Sequence, residues 1–198
     1  MTAPRPIASG SDTLAVALGA NLGDPAATLV AVRPLLAELL LPLAEPPLVT
    51  PSTRLLWSPL FRTAPVGGPP DQPDYLNAVV LLERPRPAGD PLALLSALQQ
   101  LERRFGRERR ERWGPRLLDL DLLWFGTQAG ARGELELPHP RLAQRAFVLA
   151  PLAAIDPQLP PPLPDQSPIS CAERLALLLA AGDEPPPQRL APGPGWPE

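Results

Sequence analysis

An α+β fold, an antiparallel sheet carrying its helices on one face, is what this 198-residue sequence predicts, on three observations. Short apolar runs that suit strands alternate with segments whose apolar residues recur every three or four positions. Both long helical segments open on an Asp-Pro pair, Asp24-Pro25 and Asp90-Pro91, in which the acid caps and the proline takes the first helical position. The resulting order, strand–helix–strand–strand–helix–strand, is the ferredoxin-like βαββαβ arrangement, followed here by a C-terminal extension.

Residues 1–13 read as a flexible leader and 14–157 as the folded domain. Leu14–Leu18 is a short apolar run, ended by Gly19, that suits a strand buried on both faces. The turn 19–25 leads into a helix whose apolar stripe is Leu29, Val32, Leu36, Leu39 and Leu40. Pro34 inside that helix is expected to kink or break it. Ser52–Arg62 and Tyr75–Arg84 read as two strands joined by the loop 63–74, long for a hairpin connection and so a candidate to carry function. The second helix has the stripe Leu94, Leu95, Leu98, Leu101 and Phe105, and Gly106 stops it. A charged loop, 107–116, precedes a strand over Leu117–Phe125, with a shorter strand over Glu134–Leu137. Pro140 opens an amphipathic segment reaching Leu152. Residues 158–198 form a proline-rich extension with a weak helical patch near Cys171–Ala181.

Composition narrows the chemistry. The net charge of −3 offers no general attraction to nucleic acid or anionic lipid. All 18 basic side chains are arginines, which excludes a phosphate-loop lysine and a Schiff base and leaves arginine forks, backbone N–H groups or metal ions to hold phosphate. One cysteine and one histidine exclude an internal disulfide and multi-histidine metal sites. No stretch reads as a signal peptide or a membrane span, so a cytoplasmic monomer is expected, acting on small molecules without nucleic acid or membrane partners.

The strongest chemical signal is Asp119-Leu120-Asp121. Residues two apart on a strand share a face, so both carboxylates project together while Leu118, Leu120 and Leu122 face the core. Like charges so close need compensation, and hard Mg²⁺, which takes one or two carboxylates plus waters and phosphate oxygens, supplies it. A solvated acidic patch satisfies the same two residues. Beside the pair stand Arg107, Arg109, Arg110, Arg112 and Arg116, in a loop jointed by Gly114-Pro115 that suits a lid over polyphosphate. Tyr75 and Asn77 share one strand face and suit a flat heterocycle, which wants stacking and edge hydrogen bonds. His139, followed by Arg141 and Arg145, is a further candidate for phosphate.

The run Arg112-Trp-Gly-Pro-Arg-Leu-Leu-Asp-Leu-Asp-Leu-Leu123 resembles the signature of the 6-hydroxymethyl-7,8-dihydropterin pyrophosphokinases of folate biosynthesis. Gly19–Asp24, Phe61–Ala78 and Leu137–Leu152 match the same family in the same order, so the resemblance covers roughly residues 14–160. It implies transfer of the diphosphate of ATP to the pterin hydroxymethyl group, with release of AMP.

Carried over residue by residue, the resemblance implies that Asp119 and Asp121 hold two Mg²⁺ ions between ATP and the pterin hydroxyl. Gln99, Glu102, Arg116, Leu122, His139 and Arg145 resemble the ATP-site residues, and Arg107 and Arg109 the loop arginines that reach the phosphates. Tyr75 and Phe147 would sandwich the pterin, Asn77 would bond its edge, and Thr63, Ala64, Val66 and Trp113 would line or close the pocket. Glu134 and Glu136 stand where some members carry basic or hydroxyl side chains, and no role passes to them. An RNA-recognition module shares the element order but wants aromatic strands and a basic face, against 5% aromatics and net −3 here. A palm-type nucleotidyl transferase also sets acid pairs on such a sheet, but it would release pyrophosphate.

Overall fold

Every residue of Thr13–Ala20 (β1) is buried, so the strand is covered on both faces. It pairs antiparallel with Tyr75–Glu83 (β4) on one side and with Asp119–Phe125 (β5), at the sheet edge, on the other. On its far side β4 pairs with Leu55–Trp57 (β2) and Phe61–Thr63 (β3). Gln188–Arg189 is the last strand of this sheet and pairs with β3. Gly130–Arg132 (β6) and Leu135–Leu137 (β7) form a separate two-stranded hairpin. The structure, a computed structural model, describes residues 12–44, 55–85, 89–106, 114–163, 168–182 and 185–196. The result is an α+β architecture on an antiparallel sheet.

Strand alternation creates two cores. Leu14, Val16, Leu18 and Ala20 of β1, with Ala78, Val80 and Leu82 of β4 and Leu120 and Leu122 of β5, meet the helices Pro25–Leu40 (α1) and Pro91–Arg104 (α2). Both helices start as expected: Asp24 Oδ1 accepts the Ala27 N–H at 3.0 Å, and Asp90 Oδ1 accepts that of Leu92 at 2.9 Å. Removing the Leu18 side chain from this core would cost about 2–5 kcal/mol, the usual range for a buried leucine.

The opposite face is not free of helices, which corrects the one-face expectation. Ala15, Ala17, Val79, Leu81, Leu123 and Trp124 are covered by Ala146–Ile155 (α3), joined by Cys171–Ala180 (α4) and by Leu159 and Leu163. The cause is composition. α3 is apolar around most of its circumference, with Ala146, Val148, Leu149, Ala150, Pro151 and Leu152 all buried, so it needs a partner on several sides. Burial, with a smaller contribution from Asp156, pushes the Cys171 thiol up to about 12, which makes it a packing group rather than a nucleophile.

Four further expectations change. Pro34 neither breaks nor ends α1, because it lies on the exposed side, where water can satisfy the carbonyl deprived of its helical donor. Gly19 does not end β1 but lies within it. Of the strand expected over Ser52–Arg62, residues 52–54 lie outside the described residues and the rest is two strands, since the pairing slips by one residue between Trp57↔Val80 and Phe61↔Asn77. Pro59 has no N–H to give the ladder there. Beside it buried Ser58 pairs with Val79, donating its main-chain N–H to the Val79 carbonyl and accepting the Val79 N–H on Oγ, both at 2.9 Å. Finally, Pro25–Leu43 is 19 residues long and apolar enough to cross a membrane by length and composition. Its Leu29, Val32, Leu36 and Leu40 are instead packed against the sheet with no exposure, as in a core helix.

Candidate functional site

Cross-strand register assembles the site. Gly19 lies opposite Asn77 of β4 on one side and Asp119 of β5 on the other, while Ala17 lies opposite Val79 and Asp121. These positions point to the face covered by α3, beyond the start of that helix. A cavity of 340 Å³ opens there, floored by Ala17 and Gly19. Gly19 is small for a reason: a Cβ on it would lie 2.8 Å from Asn77 Oδ1.

The two carboxylates share one face, as strand alternation requires, and both line the cavity. Asp119 is ion-paired with Arg116, and Asp121 Oδ2 receives Arg145 Nη1 at 2.6 Å. Burial alone would raise the pKa of Asp121, but Arg145, aided by His139 and Arg116, holds it below the usual carboxylate range. Burial likewise works against the Arg116 charge, and Asp119 more than offsets it, raising the guanidinium above its ordinary value. Arg145 also sits 5.4 Å over the Phe147 ring, linking the acid pair to the aromatic wall.

Tyr75, Asn77 and Phe147 line the same cavity, together with Thr63, Ala64 and Val66 from the loop after β3. Asn77 Nδ2 donates to Thr63 Oγ1 at 2.8 Å, which fixes the amide orientation. The Tyr75 hydroxyl donates to the Gly114 carbonyl at 3.3 Å.

Among the described residues, His139, Glu102, Leu122 and Gln99 are not part of the cavity lining. The His139 main-chain N–H donates to the Leu123 carbonyl at 2.7 Å, and its ring Nδ1 accepts the Arg141 main-chain N–H at 3.1 Å. Burial first, then Arg145, pushes its pKa below the ordinary value, so the ring is neutral at pH 7 and its proton is assigned to Nε2. Glu102 is buried on α2, and its Oε1 accepts the Leu120 N–H at 2.8 Å, tying down the edge of β5. The Leu122 side chain is in the core, so it can meet a ligand only through its main chain. Gln99 is half-buried on α2. Arg107, Arg109 and Trp113 lie outside the described residues.

Sequence reasoning gave no site role to several residues found here. Asn21, 3% exposed, accepts the Arg116 N–H on Oδ1 at 2.7 Å and donates from Nδ2 to the Pro73 carbonyl at 3.0 Å. It thereby joins the first turn, the 63–74 loop and the arginine beside the acid pair. The signal for it is a lone amide inside the turn Gly-Ala-Asn-Leu-Gly-Asp. Arg141 and Gln144 line the cavity from the turn before α3.

The donor set suits a hard cation that arrives with its other ligands. Among the described residues no cluster of three or more His, Cys, Asp or Glu occurs. Two carboxylate groups on one face leave most of a coordination shell to waters and substrate phosphates, the habit of Mg²⁺. An acid pair, three arginines, two amides and two aromatic rings lining one cavity can hold a polyphosphate and a flat heterocycle together.

Residues 15–157 match the family model described as 7,8-dihydro-6-hydroxymethylpterin-pyrophosphokinase. A 2-amino-4-hydroxy-6-hydroxymethyldihydropteridine pyrophosphokinase of Pseudomonas aeruginosa is 43% identical over 145 residues, 73% of this chain and 80% of its own length. The protein of the same description from Synechocystis sp. is 36% identical over 187 residues, 90% of this chain and 88% of its own. That from Haemophilus influenzae is 38% identical over 143 residues, 72% of this chain and 81% of its own.

Proposed function

The chain belongs to the 7,8-dihydro-6-hydroxymethylpterin-pyrophosphokinase family, and from that premise we propose how its own residues carry out the reaction. It transfers the diphosphate of ATP to the hydroxymethyl group of 6-hydroxymethyl-7,8-dihydropterin in folate biosynthesis, leaving AMP. The observation that carries the residue-level reading is one cavity lined both by a carboxylate pair and by two aromatic rings with an amide.

The pterin lies between Tyr75 and Phe147, with its edge against Asn77. Because Asn77 Nδ2 is engaged by Thr63, its Oδ1 is the group directed to the pterin donors. Thr63, Ala64 and Val66 close the apolar side, and Trp113 completes it from the arginine loop. ATP phosphates meet Arg116 and Arg145, whose guanidinium forks can exchange an aspartate oxygen for a phosphate oxygen. His139, neutral with its proton on Nε2, donates to a phosphate oxygen without repelling the neighbouring arginines. Arg107 and Arg109 add positive charge to the polyphosphate. Gln99, Glu102 and Leu122 serve the nucleotide from α2 and the edge of β5, Glu102 by holding that edge in place. Mg²⁺, as two ions held by Asp119 and Asp121, would offset charge on the attacking and leaving oxygens of an in-line displacement at the β-phosphorus. None of these side chains needs to be a strong base.

The strand order β5-β1-β4-β3 supports reading the core as the ferredoxin-like βαββαβ arrangement, with its second strand split into β2 and β3. We propose a cytoplasmic monomer with small-molecule partners only; the net charge of −3 supports the part of this reading that leaves out nucleic acid and anionic lipid. We further propose that residues 14–157 form the catalytic domain. The test is turnover with ATP, Mg²⁺ and the hydroxymethyl pterin. AMP and pterin diphosphate should form in equal amounts; stoichiometric ADP would contradict the reading.

A further inference from the structure

The pterin side of the cavity has an outer layer that the reaction does not account for. β3 is only three residues long and follows the break at Ser58-Pro59, yet it delivers Thr63 and the loop 64–67 to the site. Its second edge is occupied by Gln188–Arg189, which we number β8, paired Phe61↔Arg189 and Arg62↔Gln188. The Leu190 N–H extends the ladder, donating to the Leu60 carbonyl at 2.9 Å. Just upstream, Pro185 and Pro187 face Thr63–Gly67, Ala146 and Phe147 across a second cavity of 170 Å³. The same loop and ring therefore line both the substrate cavity and the cavity bounded by the C-terminal prolines.

The segment is pinned at its far end. Trp196 is 7% exposed and sits edge-on to Trp57 at 5.7 Å, and its Nε1 donates to the Ser58 carbonyl at 2.8 Å. Arg33 Nη1 donates to the Gly195 carbonyl at 3.1 Å. Gly195 has φ 78° and approaches Val30 so closely that a Cβ would fall 2.8 Å from Val30 Cγ1, which only glycine permits. Anchored there and hydrogen-bonded at β8, a proline-stiffened stretch has little freedom to withdraw from the pocket wall.

We propose that the C-terminal segment 185–190 is the outer wall of the pterin pocket, and that it sets pterin affinity by positioning the 63–67 loop and Phe147. The inference rests on the pterin reading of the cavity given above. Its residues are positioning residues: they touch the wall, not the reacting atoms. Without β8 the short β3 becomes a sheet edge, and the loop it carries loses one of its two lateral supports.

The test uses the full chain with Leu190→Pro, which removes the N–H to Leu60, and Leu190→Ala, which retains it. Pterin KM and Kd should rise roughly 5- to 10-fold in Leu190→Pro, the equivalent of one lost hydrogen bond. ATP-analogue Kd should stay within about twofold, and Leu190→Ala should restore wild-type values. Pro187→Ala and Trp196→Phe probe the same wall with every backbone donor of β8 intact, and serve if Leu190→Pro does not fold. Unchanged pterin affinity in folded Leu190→Pro, or in both other variants, overturns the proposal. So does a loss of ATP and pterin affinity in equal measure. Failure of the unaltered enzyme to bind the pterin at all would instead overturn the reading of the cavity.

Discussion

Replacing Gly19 with alanine should abolish most pterin affinity while leaving the protein folded. The new Cβ would stand 2.8 Å from Asn77 Oδ1, closer than two such atoms can rest, so the amide has to move. It cannot move freely, because Asn77 is 6% exposed and its Nδ2 is held by Thr63 Oγ1 at 2.8 Å. Either that bond breaks, or Oδ1 leaves the position from which it meets the pterin. A site group left without its partner costs about 1–3 kcal/mol, roughly 5- to 160-fold in Kd. The strand itself tolerates the change, since alanine in a strand interior is favoured over glycine by roughly 0.5–1 kcal/mol, which offsets part of the local crowding. Calorimetric titration of the pterin in the presence of a non-hydrolysable ATP analogue measures the effect, with analogue Kd and Tm as controls. Wild-type pterin affinity in folded Gly19→Ala would refute the reasoning, because the crowded Asn77 could then not be a pterin contact.

The pH dependence of stability isolates His139, the chain's only histidine. Burial and then Arg145 depress its folded-state pKa, so its contribution is present in full above about 6.5 and is lost as pH falls through the lowered value. Tm should therefore decline between pH 7 and 5 more steeply in the wild type than in His139→Gln; parallel curves would contradict it. Asp121, also depressed, adds a second loss below about pH 4. Asp119→Ala and Asp121→Ala should melt close to the parent, because partly exposed ion pairs are worth about 0–1 kcal/mol. Either variant unfolding under conditions where the parent is stable would mark the pair as structural.

The parts of the fold legible in the sequence are those written locally. Asp24-Pro25 and Asp90-Pro91 mark both helix starts because capping needs only neighbouring residues. The common face of Asp119 and Asp121 follows from the period of a strand. What needs partners elsewhere in the chain is harder to read. The break at Ser58-Pro59 arises from register with β4, and the floor at Gly19 from register with two strands at once. The second layer of helices is half-legible: Leu14–Leu18 reads as a strand covered on both faces, which already requires a second layer. β8, two residues long, has no periodicity to detect. Arg141, noted in the sequence only as following His139, lines the cavity, and Gln144 lines it with no sequence signal of its own.

The most direct test of the account is a rapid-quench measurement with ATP labelled at the β-phosphorus, Mg²⁺ and the pterin, run on the wild type and on Asp121→Ala. The account predicts that wild-type label passes entirely into pterin diphosphate, with unlabelled AMP left behind. In folded Asp121→Ala the same transfer should be slower by about 10²–10³, the usual consequence of losing one group that stabilises charge at the reacting phosphoryl. Label retained in ADP, or transfer at the wild-type rate in Asp121→Ala, would contradict it.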